Sequence, residues 1–341
     1  MARHEAASNL PIDIVLPWVD DTDSEWQAAR AAHREAPTED GSVVRYRNWD
    51  NLHYVFRSIE QNLPWVRYIF FVTAGYVPSW LNTDHPKLRI LRHTDYIPAE
   101  FLPTFNAIPI ELNLHRIDEL SEQFIYFNDD MFILKPMHKT QFFKHGLPRD
   151  NFKLAPVSPD QKRGIFPHIL LNNASIINAH FDKSQTVRRQ WRKVFSWRYG
   201  VRSFVSNMLM MPYEHFVGFS TYHIPSPFLK KTFREVWEAE PDIMHSASGN
   251  AYRSSSDVNQ YLMRAWQLMK GEFLPIGLER LTLYAEVTDT ATDEICDDIM
   301  SRRKAMLCLN DVDETLNFPR TKRRINRALQ SVFPNKSSYE K

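Results

Sequence analysis

Nine glycines serve all 341 residues of this chain, where average usage near 7% would supply about two dozen. They stand at positions 41, 75, 146, 164, 200, 218, 249, 271 and 277, and no two are 2, 3 or 5 residues apart. A G-x-G-x-x-G dinucleotide turn and a G-x-x-x-x-G-K-[ST] phosphate loop are therefore excluded. Both need glycines at those spacings to bring backbone amides onto a pyrophosphate. Any phosphate bound here must be held by side chains or by a cation.

Other function classes fall away on charge and cysteine usage. The net charge is +1, so no global field favours nucleic acid, and no nucleic-acid partner is expected. Cys296 and Cys308 form neither a metal-spaced set nor a disulfide framework, which suits a reducing compartment. The opening ten residues carry no apolar stretch of a signal. The longest clear apolar run, Tyr68 to Val72, is far short of the ~20 residues of a spanning helix. A cytoplasmic protein is expected, with peripheral contact at the inner face of the membrane left open.

Strand and helix patterns alternate along the first 130 residues. Ile12–Leu16, closed by Pro17, reads as a buried strand, and Glu25–Glu35 as a helix. Residues 50–62 place Leu52, Val55, Phe56 and Ile59 at helical spacing. Tyr68–Thr73 and Leu88–Leu91 read as strands. Glu111–Leu120 reads as helical, and Phe124–Phe127 as a strand that ends at Asn128-Asp129-Asp130. This order implies an α/β fold, a mostly parallel sheet with covering helices, and ligands collect beyond the carboxyl ends of such strands. Further on, Phe228–Ala239 and Asp257–Met269 read as helices, 275–295 has no distinct pattern, and Ala305–Leu309 is strand-like. The preferred division is a leader (1–10), one catalytic domain (11–318) with a helical insertion at about 180–220, and a basic amphipathic segment (319–341). The insertion holds a basic, tryptophan-rich stretch, Arg188 to Arg202.

Several groups carry chemistry. Asp129 and Asp130 at a strand end can hold a hard cation such as Mg2+ or Mn2+, or can simply make a polar turn. Trp18 and Asp20 also follow a strand: they can stack on a base and bind a ribose, or form an acidic turn beside a core tryptophan. Arg45, Arg47 and Arg57 can replace a glycine cradle with guanidinium forks. His115-Arg116 and His223 can act as base or phosphate ligand, or be structural. Arg253 before Ser254-Ser255-Ser256-Asp257 fits an anion-attracting helix start or a plain cap. Ile325, Leu329, Val332 and Phe333 share a helical face among basic residues. That segment, 320–333, can rest on an anionic membrane or pack as an ordinary terminal helix.

Taken together, four blocks resemble the Stealth family, which includes bacterial capsular polysaccharide phosphotransferases and the animal N-acetylglucosamine-1-phosphotransferase catalytic subunit. They are Ile12–Asp20, Arg45–Asp130 (with Leu63-Pro64-Trp65, Leu102-Pro103-Thr104-Phe105-Asn106 and Leu114-His115-Arg116), His223–Trp266, and Cys308-Leu309-Asn310-Asp311. The resemblance implies a GT-A-like fold with a divalent metal. It implies transfer of a hexose-1-phosphate from a UDP-sugar such as UDP-GlcNAc to a growing polysaccharide or another glycan acceptor, with release of UMP. On that basis Asp129 and Asp130 hold the metal, with Asn310 or Asp311 as a further ligand. Trp18, Asp20, Arg45, Arg57, Asn106 and His115 bind the nucleotide-sugar. Arg253 and Arg116 hold phosphate oxygens. His223 is the general base, with Asp257 orienting or replacing it; some relatives carry a histidine where this chain has Ser254. Two alternatives stand beside this: a metal-dependent glycosyltransferase releasing UDP, and an inactive carbohydrate-binding relative.

Overall fold

A computed structural model describes residues 10–20, 23–33, 47–159, 164–312 and 315–341. The first half runs β1 (Ile12–Pro17), α1 (Ser24–Ala32), α2 (Leu52–Asn62), β2 (Ile69–Thr73), β3 (Leu88–Arg92), α3 (Ala107–Leu112), β4 (Gln123–Tyr126) and β5 (Met131–Ile133). Two short strands follow, β6 (Phe143–Lys144) and β7 (Leu147–Asp150). Then come α4 (Phe166–His180), α5 (Lys183–Arg189), α6 (Trp191–Val194) and α7 (Val201–Met210). The last part runs β8 (Ser226–Leu229), α8 (Lys230–Ala239), α9 (Pro241–Gly249), α10 (Gln260–Lys270), β9 (Leu274–Pro275), α11 (Leu278–Leu281), β10 (Thr282–Val287), α12 (Thr292–Ser301), β11 (Met306–Asp311) and α13 (Phe318–Val332).

The main sheet has the order β3-β2-β1-β4-β8. The pairs β1–β2, β1–β4 and β2–β3 are parallel, and β8 runs antiparallel along β4. This is the mostly parallel α/β sheet that the alternating pattern implied. Strand alternation splits the core in two. Ile14, Leu16 and Phe71 face α2, α13 and the second sheet, while Val15, Phe70 and Val72 face α3, α4, α8 and α10. With both faces covered, β2 reads as an apolar run from Ile69 to Val72, and β1 as one broken only by Asp13.

A second sheet, β10-β11-β5, stands next to the first. Since β5 follows β4 after four residues, the chain passes from one sheet to the other at Phe127–Asp130. The Asp pair therefore sits at the junction of two sheets, beyond the carboxyl end of β4. At the opposite end of β1, buried Asp13 takes a two-pronged contact from Arg67 (2.8 and 2.5 Å) and the Ser121 amide (2.8 Å).

Some elements depart from expectation. The helix expected over Glu111–Leu120 is instead α3, which stops at Leu112, followed by a 3-10 turn at Leu114–Arg116. Asn113 ends it by donating its amide to the Pro109 carbonyl (2.8 Å) and Ser248 (3.2 Å). Phe228–Leu229 belong to β8 rather than to the following helix, because they pair with Gln123 and Phe124. The edge position tolerates Pro227, which has no amide to donate.

The C-terminal reading needs a larger correction. Ile325, Leu329, Val332 and Phe333 do share a face, and that face is buried in the core. It is not open to lie on a membrane, so contact through 320–333 loses its apolar component. No described helix is long and apolar enough to cross a membrane.

Candidate active site

The site is built at the sheet junction. Asp130 is half-buried there. Its Oδ2 accepts the Cys308 thiol (3.3 Å) and lies 3.4 Å from His223 Nε2. Its Oδ1 is buried with no partner. Cys308 comes from β11, whose antiparallel pairing with β5 sets Cys308 opposite Met131. His223 comes from the segment before β8. Because β8 runs antiparallel to β4, Ser226 lies beside Tyr126, and that pairing returns the chain to the Asp pair.

The His223 ring is held from both sides. Nδ1 lies 3.4 Å from the Tyr261 hydroxyl and Nε2 lies 3.2 Å from Asn128 Nδ2. Burial by itself would lower its pKa, but the charge and hydrogen bond of Asp130, with the charge of Glu111, raise it overall. Crowding by protein and the charge of Asp130 push the Asp129 carboxyl up to about 7, even though the residue is exposed at the rim. Burial and Asp130 hold the Cys308 thiol well above its ordinary value. It stays a thiol and donates to Asp130, while Asp130 Oδ1 stays open.

The chemistry of this donor set suits a cation. Asp130, His223 and Cys308 bring ligand atoms within 4.8 Å of one another. An unpaired buried carboxylate oxygen is costly unless something positive meets it. Asp129 beside it adds carboxylate oxygens of the kind Mg2+ and Mn2+ favour.

Other expected residues reach the same rim. Trp18, at the end of β1, stacks on Phe71 at 5.7 Å and leans on Tyr76 at 5.9 Å. Asp20 follows it, half-buried. Arg253 acts electrostatically on Glu111 and His223. Asn310 shares a face of β11 with Cys308 and donates to the Tyr284 hydroxyl, whose ring is 6.4 Å from His223. Arg45 lies outside the described residues.

Six expectations are corrected. Asp311 sits on the opposite face of β11, because successive strand residues alternate; its carboxylate takes Arg47 (3.4 Å) and the Trp49 indole (3.2 Å). Asp257 is fully buried and neither orients nor replaces His223. It accepts from Asn250 (2.6 Å), the Ser254 amide (2.8 Å) and Asn106 (3.5 Å), tying down the loop before α10. Asn106 is engaged in that tie and in capping α3 through the Ile108 amide (3.1 Å), away from Asp130 and His223 in its contacts. Arg116 lies over the Trp237 ring at 4.8 Å and bonds Asn113. His115 packs on the same Trp237, and burial and Arg116 push its pKa down to about 4. Both precede β4, towards the end of the sheet away from Asp130.

Arg57 is the sixth correction. It is buried and grips Glu340 through two 2.7 Å bonds, with a third to the Phe333 carbonyl. Its fork ties the chain end to α2 rather than holding phosphate. Arg57→Leu is expected to destabilise the fold by about 3 kcal/mol, since removing one partner strands a buried charge; the denaturation midpoint measures this. Burial would raise the pKa of Glu340, but Arg57 and Ser337 hold it below the usual glutamate value. The pair's contribution is therefore present at neutral pH and fades as pH falls below the ordinary glutamate range. Unchanged stability with weakened donor binding would return Arg57 to the nucleotide site.

Glu111 was missed. It is a lone acid in the apolar turn Ala107–Leu112, and it accepts from the Tyr126 hydroxyl (3.0 Å) and the Gln260 amide at the start of α10 (3.5 Å). The only sequence signal was a carboxylate on an otherwise buried helix.

Two family models match the chain: Stealth protein conserved region 1 over residues 10–36 and conserved region 2 over residues 45–150. The capsular polysaccharide phosphotransferase WcwK of Streptococcus pneumoniae is 36% identical, covering 97% of this chain and 98% of that protein. The receptor polysaccharide phosphotransferase WefC of Streptococcus oralis is 33% identical, covering 96% and 99%. The structure of the galactosyltransferase LgtC with donor and acceptor sugar analogues overlays 96% of this chain and 98% of its own. Its identity is 10% and its TM-score 0.38, a likeness that decides nothing about fold or function. With two conserved regions in order and relatives matched over nearly their whole length, this chain belongs to the Stealth family.

Proposed function

We propose that this protein is a sugar-phosphate transferase of capsular or cell-surface polysaccharide synthesis. It moves a sugar-1-phosphate from a UDP-sugar to a glycan hydroxyl. The acceptor oxygen bonds to the β-phosphorus, the bridge to the α-phosphate breaks, UMP leaves and a phosphodiester remains. The observation that carries the reading is the Asp130–His223 pair at the sheet junction, with Asp130 Oδ1 open.

His223 supplies the base. Asn128 Nδ2 and Asp130 Oδ2 both lie at Nε2 and the Tyr261 hydroxyl lies at Nδ1, so the ring is fixed in place at the sheet junction. Nε2 takes the acceptor proton, and the imidazolium is then faced by Asp130 Oδ2. Arg253, whose charge acts on His223 and Glu111, would supply positive charge to phosphate oxygens. Trp18 and Asp20 line the rim where a base and ribose would lie. A divalent cation, Mg2+ or Mn2+, would be held by Asp130 and Asp129 and would neutralise the donor diphosphate. With the glycine shortage, side chains and that cation take the part of a backbone cradle.

Incubating the protein with a panel of UDP-sugars and a glycan acceptor, then identifying the nucleotide formed, tests this directly. UMP is expected to appear in step with a phosphodiester-linked product. UDP as the sole nucleotide would mean that the sugar C–O bond breaks instead, and the chain would be a glycosyltransferase.

A further inference from the structure

Helix α7 is built inside out. Its buried side is polar: Ser203 and Asn207 have no exposed surface. Asn207 donates to the carbonyls of Phe152 (2.9 Å) and Val194 (2.8 Å) and accepts from the Leu154 amide (2.8 Å). Ser206 donates to the Leu154 carbonyl (2.6 Å). These bonds fix which face looks outward, and that face is apolar. Val201, Val205, Met208 and Leu209, at i, i+4, i+7 and i+8, are 68%, 46%, 51% and 64% exposed. That spacing makes one continuous stripe.

Exposed aromatic side chains precede and follow the stripe along the chain. Trp197, 72% exposed, stacks on Phe204 at 4.7 Å, and Trp191 and Tyr213 are each 56% exposed. Seven of the thirteen large exposed apolar residues of the described chain fall within 191–213, so the patch is a local feature and not scatter. The charge around it has one sign. No acid occurs between Asp182 and Glu214, and Arg188, Arg189, Arg192, Arg198 and Arg202 are exposed. Lys183 and Lys193 are drawn inward onto backbone carbonyls.

We propose that this face docks on an anionic lipid surface. The stripe would enter the headgroup boundary, Trp191, Trp197 and Tyr213 would sit at the level where indole and phenol rings are favoured, and the arginines would meet lipid phosphates. A second copy of the chain is a poor occupant, because a two-fold contact would set these arginines against one another. The C-terminal helix differs in kind: its apolar side is in the core, and only its basic side is open.

The test is co-sedimentation of the full chain with vesicles of phosphatidylcholine, with and without phosphatidylglycerol. Wild type is expected to bind only the anionic vesicles, and less as salt rises. The double variant Val205→Glu, Leu209→Glu is expected to lower partitioning at least about tenfold. Arg198→Glu with Arg202→Glu is expected to do the same. Arg320→Glu, Arg323→Glu and Arg327→Glu together should leave binding unchanged. All these positions are exposed, so circular dichroism and nucleotide release with a water-soluble acceptor should match wild type. The proposal is overturned if wild type ignores anionic vesicles, or if Val205→Glu, Leu209→Glu binds as wild type does. It is equally overturned if lipid-free wild type is a dimer that this double variant dissociates.

Discussion

Replacing Asp130 with asparagine is expected to cut turnover about a thousandfold or more, on the order of 4 kcal/mol of barrier, while the fold survives. One carboxylate serves two neighbours. Oδ2 takes the Cys308 thiol and faces His223, and Oδ1 is buried without a partner. An amide of the same shape keeps the packing but removes the charge. The imidazolium formed during transfer loses its counterion, and a cation on the diphosphate loses an oxygen ligand. Stability should hold or rise, because an unpaired buried carboxylate oxygen is a cost in the folded state. The neighbouring Asp129 carboxyl, raised partly by Asp130, should move back towards the ordinary range. Initial rates of nucleotide release and a thermal midpoint, measured side by side, separate activity from folding. Activity retained at a tenth of wild type or better, about 1.4 kcal/mol, would remove Asp130 from the chemistry.

His223→Gln is expected to lower kcat by about a hundredfold to ten-thousandfold, the range general bases contribute, with little change in donor KM. Glutamine can still meet Tyr261 or Asn128, but it cannot take up a proton. The split between kcat and KM is the informative readout. A proportional rise in donor KM with kcat preserved would mean that the ring binds the donor and that the base lies elsewhere, with Glu111, whose charge also acts on the ring, as an alternative.

Part of this site was legible along the chain. Strand signals are local, so the ends of β1 and β4 could be read, and with them Trp18, Asp20 and the Asp pair. The blocks running to Asp130 gave the family. Other features were hidden because a side chain looks the same whatever it meets. Arg57 reads as a phosphate fork, yet its partner Glu340 lies 283 residues away. Cys308 reads as an unremarkable cysteine, yet it reaches Asp130 across 178 residues. Asp257 and Asn106 read as polar ligands, but they meet each other across 151 residues and otherwise bond their own loops. Along β11, alternation separates Asn310 from Asp311, and that the face of Cys308 and Asn310 lies beside Asp130 depends on the pairing with β5.

The scarcity of glycine excluded a backbone cradle before any fold was known, since the spacing of a phosphate loop is a property of the chain alone. It could not say what takes the cradle's place. That depends on which distant side chains the two sheets bring together, and burial and pairing are properties of the packed molecule. The same holds for the amphipathic helices. Composition marks both the stretch 188–210 and α13 as basic and apolar, but hydrogen bonds from Asn207 turn the apolar side of α7 to solvent, while the core takes up that of α13.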